Sequence, residues 1–508
     1  MLPKIEKLRS EAKKLKKAFA SGDADAAARL HATLPDINTP KHADFLHLLA
    51  RENGFPSWPA LKAATEAAKL DRAQKIKASE RAVLNGSFLM LDRLLEQDPD
   101  LIDAHLGLQI AFARAAKVRE ALAKDPNLAK ASISERPPLC WLTYSKLVNR
   151  KPEIVADQLE ILDALIAAGA DPNASIPAEP GSDHRLSALY GAIGHSQNLA
   201  LSEALLKAGA NPNDNESLYH ATEMPTLDGV KLLFSHGAEV GRTNAFLRML
   251  DIENPEGVKL FLSNGADPNA PPYRHPSDEP AEARNALHHA IIRGRYAEVA
   301  ALLLDAGVNT EVPFGNRSSY ALARICGNRD IAGLLEERGL DTQLTPAETF
   351  LAAIADIDES KARTTLNAHP DLWQDLSHFD KTRQTELAMR RECQPVLELM
   401  ADLGFDINLQ GESDMPPIHA AAWWGHADIV EMYIARGANL DIENMFGGET
   451  LGTAIHGSAN CPARDDGDYE RTVLALLNAG AVIRPEAGHL EMGTDNISLL
   501  LESTLESG

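Results

Sequence analysis

Three nine-residue strings decide the fold: LIAAGADPN at residues 165–173, LLKAGANPN at residues 205–213 and FLSNGADPN at residues 261–269. Each string ends an apolar stretch with a glycine and an alanine, which are followed by Asp or Asn, then Pro and Asn. A glycine just past the last helical turn readily adopts the left-handed conformation that ends a helix. The Asx-Pro-Asn that follows prevents the helix from continuing and starts a turn. The strings therefore predict the same helix end three times over.

Weaker copies of this helix end recur along the chain. The glycines of all copies are separated by 40, 28, 28, 42, 32, 65, 33 and 43 residues, and the interval of 65 divides into two repeats if His369 takes the place of a glycine. Similar helix-ending sequences occur nearer the N-terminus, in LHATLPD (30–36), LEQDPD (95–100) and LAKDPN (122–127). A recurring period of this length predicts a repeat array that spans nearly the whole chain. The glycines are Gly169, Gly209, Gly237, Gly265, Gly307, Gly339, Gly404, Gly437 and Gly480.

Composition agrees with a thin, layered fold. Of the 508 residues 44% are hydrophobic but only 5% are aromatic. Small apolar residues suit paired helices packed through Ala and Leu better than thick cores filled with large rings. We therefore expect an all-α protein.

One stretch links this pattern to a known family. PPIHAAAWWGHADIVEMYIARGAN at residues 416–439 resembles the ankyrin pattern T-P-L-H-x-A-A-x-x-G-H, and NALHHA at residues 285–290 is a second match. The resemblance implies an ankyrin-repeat solenoid of about a dozen stacked helix-turn-helix units. Only two units keep His at the fourth motif position, His288 and His419, so some units are expected to be degenerate. Residues 45–62 resemble a leader that often precedes bacterial ankyrin arrays, which suggests a bacterial source.

The repeat pattern predicts three regions. Residues 1–73 are expected to form N-terminal capping helices and a degenerate repeat. Residues 74–341 form the main array, with long finger loops at 174–185 and 270–284. Residues 342–508 form a second ankyrin segment and a C-terminal cap, and a bend or subdivision is expected near 342–346.

The family resemblance also locates a candidate binding surface. Stacked ankyrin units expose their finger loops and certain positions of each first helix on a concave side. Laying the motif along the chain places a strongly polar set on that side, flanked by the two long loops and by aromatic residues. The candidate groove residues are Trp141, Tyr144, His184, His220, Glu223, Arg248, Asp251, Tyr273, Arg274, His275, His289, Arg293, Trp423 and Trp424.

Charge and cysteine content limit the partners, the location and the metal sites that the sequence favours. The net charge of −23 disfavours nucleic acid as a partner. The basic start of the chain leaves open a membrane-surface contact, but no stretch reaches the length of a transmembrane helix or a signal peptide. The four cysteines lie far apart without a CxxC motif, which favours a reducing, cytoplasmic location without a zinc knuckle. No cofactor or metal is expected.

Two functions remain open at this stage. The first is a recognition scaffold that binds a protein or peptide partner in the groove. The second is a small-molecule- or metal-binding enzyme that uses the His, Glu, Asp and Arg residues of the middle repeats. No HExxH, GxSxG or P-loop motif supports the second hypothesis, and whether the protein has any catalytic activity stays open.

Overall fold

A computed structural model describes residues 3–35, 37, 40, 42–179, 181–252, 254–273, 284–411, 414–461, 463–489 and 492–505. The chain divides into two compact units, Met1–Asn309 and Thr310–Gly508. The sequence-based boundary at 341/342 falls inside the second unit.

The first unit consists of paired helices and one short hairpin. The two strands of the hairpin, β1 (Ser175–Pro177) and β2 (Arg185–Ser187), pair antiparallel, with β1 inside the predicted finger loop 174–185 and β2 beginning at its last residue. The helices are α1 (Ile5–Ala20), α2 (Ala24–Thr33), α3 (His42–Glu52), α4 (Trp58–Ala67), α5 (Arg72–Asn85), α6 (Phe88–Gln97), α7 (Leu106–Ala111), α8 (Ala115–Lys124), α9 (Pro138–Thr143), α10 (Val155–Ala167), α11 (Ala188–Tyr190), α12 (Leu199–Lys207), α13 (Ser217–Ala221), α14 (Asp228–Ser235), α15 (Ala245–Asp251), α16 (Pro255–Ser263), α17 (Ala286–Ile292) and α18 (Ala297–Asp305).

The second unit repeats the same paired pattern. Its helices are α19 (Ser319–Ile325), α20 (Arg329–Glu337), α21 (Pro346–Ala355), α22 (Glu359–Ala368), α23 (Leu372–Asp375), α24 (His378–Leu387), α25 (Gln394–Leu403), α26 (Pro417–Trp423), α27 (Ala427–Ala435), α28 (Thr450–Asn460), α29 (Tyr469–Asn478) and α30 (Asp495–Leu505).

Stacking follows one rule within each unit. The first helix of a pair packs against the first helix of the next, as α13 does with α15 and α15 with α17, and second helices pack likewise, as α16 does with α18. In the second unit α24, α26 and α28 form one such series, and α25, α27 and α29 form another. The apolar residues just before the repeat glycines are buried, among them Leu165, Leu205 and Leu303. The predicted all-α repeat architecture is confirmed.

The repeat glycines end their helices as predicted. All nine have positive φ, from +78° at Gly339 to +101° at Gly480, in the region where a β-carbon would be strained. The prediction for His369 is wrong in conformation, since its φ is −131° although α22 ends there. Asp98 and Asp125 end their helices in the same extended way, with φ of −148° and −143°. Each of these residues precedes a proline, which pushes the preceding residue out of the helical region.

The last asparagine of the repeat string joins neighbouring repeats. The Asn213 side chain donates to the Gly237 carbonyl at 3.1 Å and accepts from the Glu239 amide at 2.7 Å. Asn173 makes the same pair of bonds to residues 209 and 211, and Asn269 to residues 307 and 309. One amide side chain thus satisfies both a donor and an acceptor of the next turn, which gives the final Asn of the string a physical role.

The apolar face of α1 lies in the core of the first unit. Leu8 and Leu15 are buried in a cluster that includes Phe45, Trp58 and Leu61, and this cluster includes residues of α2, α3 and α4. A helix whose apolar face is already packed has no comparable face to insert into lipid. Among the described residues, no helix is long and apolar enough to cross a membrane.

Candidate functional site

The predicted polar residues come from equivalent places in successive repeats. His220 lies on α13, Arg248 and Asp251 on α15, and His289 on α17. Because α13, α15 and α17 pack on one another in series, side chains at matching positions come within reach of their neighbours. His184 precedes β2 of the hairpin.

The contacts among these polar residues begin at the hairpin and continue onto α13. His184 Nε2 lies 2.7 Å from Glu216 Oε1, and His220 Nε2 lies 3.4 Å from Glu216 Oε2. The other ring nitrogen of His220, Nδ1, lies 2.9 Å from Glu223 Oε2. His220 is therefore held between two carboxylates, one before its helix and one after it.

The contacts among these polar residues continue across α15 to α17. Arg248 lies 3.5 Å from Glu223 and 3.8 Å from Asp251. Asp251 Oδ1 in turn lies 2.8 Å from His289 Nε2 and 2.9 Å from Arg293 Nε. We call the whole set the charged row: His184, Glu216, His220, Glu223, Arg248, Asp251, His289 and Arg293.

Two carboxylates of the row, Glu216 and Asp251, have lowered pKa values. Burial alone would raise the pKa of Glu216, but hydrogen bonds with His220 and His184 outweigh it and hold that pKa below its usual range. The same balance applies to Asp251, whose burial is outweighed by the hydrogen bond with His289 and by the neighbouring arginines, so its pKa is lowered too.

Two of the three imidazoles of the row, His220 and His289, differ in their pKa shifts. Burial tends to lower the pKa of His220, but its hydrogen bonds with Glu216 and Glu223 raise that pKa above its ordinary value. Burial dominates at His289, whose side chain is only 3% exposed, and it lowers the pKa despite the hydrogen bond with Asp251. Of these two imidazoles, His220 is therefore the one that protonation favours.

The aromatic candidates Trp141 and Tyr144 are buried beside the row. The Trp141 indole donates to the Ile133 carbonyl at 3.0 Å, and the Tyr144 hydroxyl donates to the Ser187 carbonyl at 3.1 Å. Tyr190 joins them to the row, since its ring centroid lies 6.0 Å from Tyr144 and 4.9 Å from His220. Both residues contribute to the wall of a cleft rather than to an open surface.

The second finger loop is described only at its ends. Tyr273 is held through its backbone, which donates to Asn244 at 2.6 Å and accepts from the same side chain at 2.9 Å. This places the start of the loop beside α15. Arg274 and His275 lie outside the described residues.

Trp423 and Trp424 belong to the second unit and are half-buried. The Trp423 ring centroid lies 5.5 Å from that of His456 on α28, and the Trp424 ring is stacked at 6.5 Å on His426. Gly457 allows the close approach of α28, because a β-carbon there would overlap the Trp423 carbonyl. The two tryptophans thus line the junction between α26 and its neighbours.

The chemistry of the row is that of hydrogen bonding and charge. Within the described ranges, no three His, Cys, Asp or Glu side chains are grouped so that they would hold a metal ion. Asp251 and Glu216 each lie within ion-pair distance of two or more basic side chains. The geometry favours a surface that offers fixed charges to a ligand.

Sequence reasoning missed two members of this neighbourhood. Glu216 bridges His184 and His220, and Tyr190 connects the row to Trp141 and Tyr144. The spacing of Glu216 and His220, four residues apart, was an available signal, because such pairs meet on a helix. Tyr190 occupies the fourth motif position, where its side chain had no assigned role.

Comparison with known proteins finds a family model and solved structures that resemble this chain. A family model described as ankyrin repeats (many copies) matches residues 385–432, which overlaps the string at residues 416–439. The crystal structure of the human ASB11 ankyrin repeat domain matches with 16% sequence identity and a TM-score of 0.22, over 47% of this chain and 99% of that chain. A TM-score this low carries no argument. No curated protein matches.

Proposed function

We propose that this chain, which is an ankyrin-repeat protein, binds a protein or peptide partner along its charged row. Repeat arrays of this kind use extended surfaces built from successive repeats for recognition. The row draws its residues from a finger hairpin and three successive first helices. It supplies the kind of surface that such recognition needs.

The observation that carries the proposal is a continuous row of charge that stays partly open to water. The side chains of Glu223, Arg248 and Arg293 are 37%, 33% and 47% exposed. Ion pairs with this exposure contribute only about 0–1 kcal/mol each to stability. Ion pairs this weak contribute little to cohesion between repeats, so cohesion does not account for the row. Binding a partner would account for it.

Cationic and anionic groups alternate along the row, which favours one class of partner. A peptide segment that carries both signs of charge pairs with the row at several points, and opposite charges set its register. A uniformly anionic ligand meets Glu216, Glu223 and Asp251 and is repelled. We therefore propose a protein segment of mixed charge as the partner.

Crosslinking in cells tests the proposal. A photocrosslinking amino acid at position 293 places the probe on the row, and the same amino acid at position 207, whose lysine is 65% exposed on the second helix α12, is the matched control. We expect position 293 to give defined adducts that Arg248→Glu in the same chain removes. Identical adducts from both positions, or adducts that Arg248→Glu leaves unchanged, would contradict the proposal.

We also propose a reducing, cytoplasmic location. Cys140, Cys326, Cys393 and Cys461 are all free thiols. Burial raises the pKa of Cys140 to about 12, so this thiol stays protonated and unreactive. Free buried cysteines without disulfide partners suit a compartment that keeps thiols reduced.

A further inference from the structure

We propose that a cleft next to the charged row binds a small carboxylate carried on a flat ring, with Arg136 as its anchor. The cleft has a volume of about 390 Å³ and we call it the Arg136 cleft. This size is at the lower end of the range, about 300–1,000 Å³, typical of small-molecule sites. The proposal concerns a small ligand and does not depend on the protein partner proposed above. The lining residues used below are Glu80, Arg81, Arg136, Trp141, Tyr144, Ile176, Tyr190 and His195.

Arg136 is an unpaired cation in a confined place. Within the described part of the chain its guanidinium makes no hydrogen bond, and its Nη1 is closed off from water without a partner. Nε and Nη2 are not among the closed-off atoms, so this edge of the guanidinium stays accessible. The Nε–Nη2 edge is a pair of parallel donors that matches the two oxygens of a carboxylate. Arg136 therefore offers an unfilled bidentate anion site.

The guanidinium is held in place by aromatic rings. Its central carbon lies 5.8 Å from the Trp141 ring centroid and 5.0 Å from that of Tyr144. Cation–π contacts of this kind fix the plane of the group without using its hydrogen-bond donors. Arg136 is thus oriented before any ligand arrives, which lowers the entropic cost of binding.

The carboxylate that lines the same cleft does not neutralise Arg136. Glu80 Oε1 lies 2.7 Å from His105 Nε2 and accepts from the Ser134 hydroxyl at 3.1 Å. No hydrogen bond or ion pair joins Glu80 to Arg136. Arg81, exposed at the rim, adds a second positive charge to the cleft. An anion that enters the cleft therefore meets two guanidinium groups and one carboxylate, and that carboxylate is already hydrogen-bonded to His105 and Ser134.

The walls of the cleft favour a flat apolar body behind the carboxylate. Trp141 and Tyr144 have their polar atoms bonded to backbone carbonyls, so the rings present faces and edges to the cleft. Ile176 from β1 adds an aliphatic wall. Aromatic rings pack well in such surroundings, in offset or edge-to-face arrangements.

A rare backbone feature shapes one side of the cleft. Gly191–His195 forms a π-helical turn, a feature frequent at functional sites. Gly191 lets the Tyr144 ring approach, because a β-carbon there would overlap it. His195 closes the turn by donating from Nε2 to the Leu84 carbonyl at 2.7 Å, and burial lowers its pKa, so the imidazole is neutral. The turn thereby ties α5 to the aromatic wall.

Titration calorimetry on the full chain tests the proposal with defined probes. Benzoate combines a carboxylate with a ring, benzamide removes the charge, acetate removes the ring, and inorganic phosphate is an anion of different shape. We expect benzoate to bind at least tenfold more tightly than each of the other three.

Two variants and one control locate the site. We expect Arg136→Gln to weaken benzoate binding at least tenfold, and Ile176→Trp to weaken it by filling the cleft without changing Arg136. Arg150→Gln is the control, because Arg150 lies over Phe88 and pairs with Asp92 away from the cleft. It should bind benzoate as the unmodified chain does. Circular dichroism of each variant confirms folding before titration.

Several results would overturn the assignment. These are no benzoate binding by the folded chain, equal binding of benzoate and benzamide, or phosphate binding as tight as benzoate. Benzoate affinity that survives both Arg136→Gln and Ile176→Trp would also overturn it, whereas loss in both folded variants supports it. Because none of the four probes is a protein segment, these outcomes are independent of the crosslinking result for the charged row.

Discussion

Charged side chains in the first unit form a row that stays partly open to water, whereas in the second unit Arg317, Glu348 and Asp380 form a nearly dry cluster. Arg317 Nη2 lies 2.5 Å from Asp380 Oδ2, and Arg317 Nε lies 3.8 Å from Glu348 Oε1. The three residues are 8%, 7% and 1% exposed. The same chemical groups are thus placed in two different solvent environments.

The buried cluster has a structural position. Glu348 and Asp380 are the third residues of α21 and α24 and complete capping boxes with Thr345 and Ser377. Arg317 precedes the N-cap of α19, so it connects the starts of three helices. Removing the partner of a buried charge costs far more free energy than removing the partner of a hydrated charge. The comparison teaches that the buried charges of the second unit support the fold, whereas those of the row stay accessible to water and, in the proposed function, to a partner.

The largest expected effect comes from breaking the buried cluster. Asp380→Asn leaves Arg317 buried beside a neutral side chain, and we expect a loss of about 3–5 kcal/mol in the free energy of unfolding. Urea unfolding followed by circular dichroism measures it. The control is Asp402→Asn, since Asp402 pairs with Arg436 at 2.9 Å but is 54% exposed, and it should cost less than about 1 kcal/mol. Equal losses in the two variants would contradict the comparison.

An intermediate effect is expected where neutral hydrogen bonds join repeats. Asn213→Ala removes the bond to the Gly237 carbonyl and the bond from the Glu239 amide, at a cost of about 1–2 kcal/mol. Asn213→Asp keeps the acceptor and loses the donor, so it should lie between Asn213→Ala and the unmodified chain. The same urea experiment measures both, and a reversed order would refute the role given to this asparagine.

A double-mutant cycle sharpens the comparison directly. Glu223→Gln and Arg248→Gln, alone and together, should give a coupling energy below about 1 kcal/mol, because the pair is exposed and 3.5 Å apart. The corresponding cycle at Arg317 and Asp380 should give several times that value. If the two coupling energies agree, exposure does not separate the two regions.

The smallest expected effect is a dependence on pH. The pKa of His220 is raised above its ordinary value of 6.5, so the folded state holds this proton more tightly than the unfolded state does. The resulting stabilisation is complete below pH 6.5 and is lost as the pH rises through the folded-state pKa. The stability difference between the unmodified chain and His220→Gln should therefore shrink as the pH rises above 6.5. A difference that grows over that range would give the wrong sign.

Local turn chemistry made much of the fold predictable. The nine glycines and the Asx-Pro-Asn turns act on their immediate neighbours, so the helix ends follow from short strings. The repeat register predicted that His220, Arg248 and His289 lie in series, and the structure places Glu223 and Asp251 in contact with these three residues. The repeat spacing places His369 where other repeats have a glycine. The structure shows that the proline after His369, not a left-handed residue, ends α22.

Contacts that depend on tertiary packing were not predictable in the same way. Arg317 and Asp380 are 63 residues apart in sequence, and no repeat position links them. Arg136 lies in a short turn next to Ile133, and its setting depends on how the Trp141 and Tyr144 rings pack against it. A single sequence shows residue types and spacing, but it does not show which side chains lose water together.

A charge swap tests the central claim, that the row serves recognition rather than cohesion of the repeats. Glu223→Arg combined with Arg248→Glu keeps one ion pair between the residues that follow α13 and helix α15 but reverses the pattern of charge offered to a partner. The account predicts a urea unfolding midpoint close to that of the unmodified chain, with loss of the adducts formed from a crosslinker at position 293. Retention of those adducts in the folded double variant would contradict it.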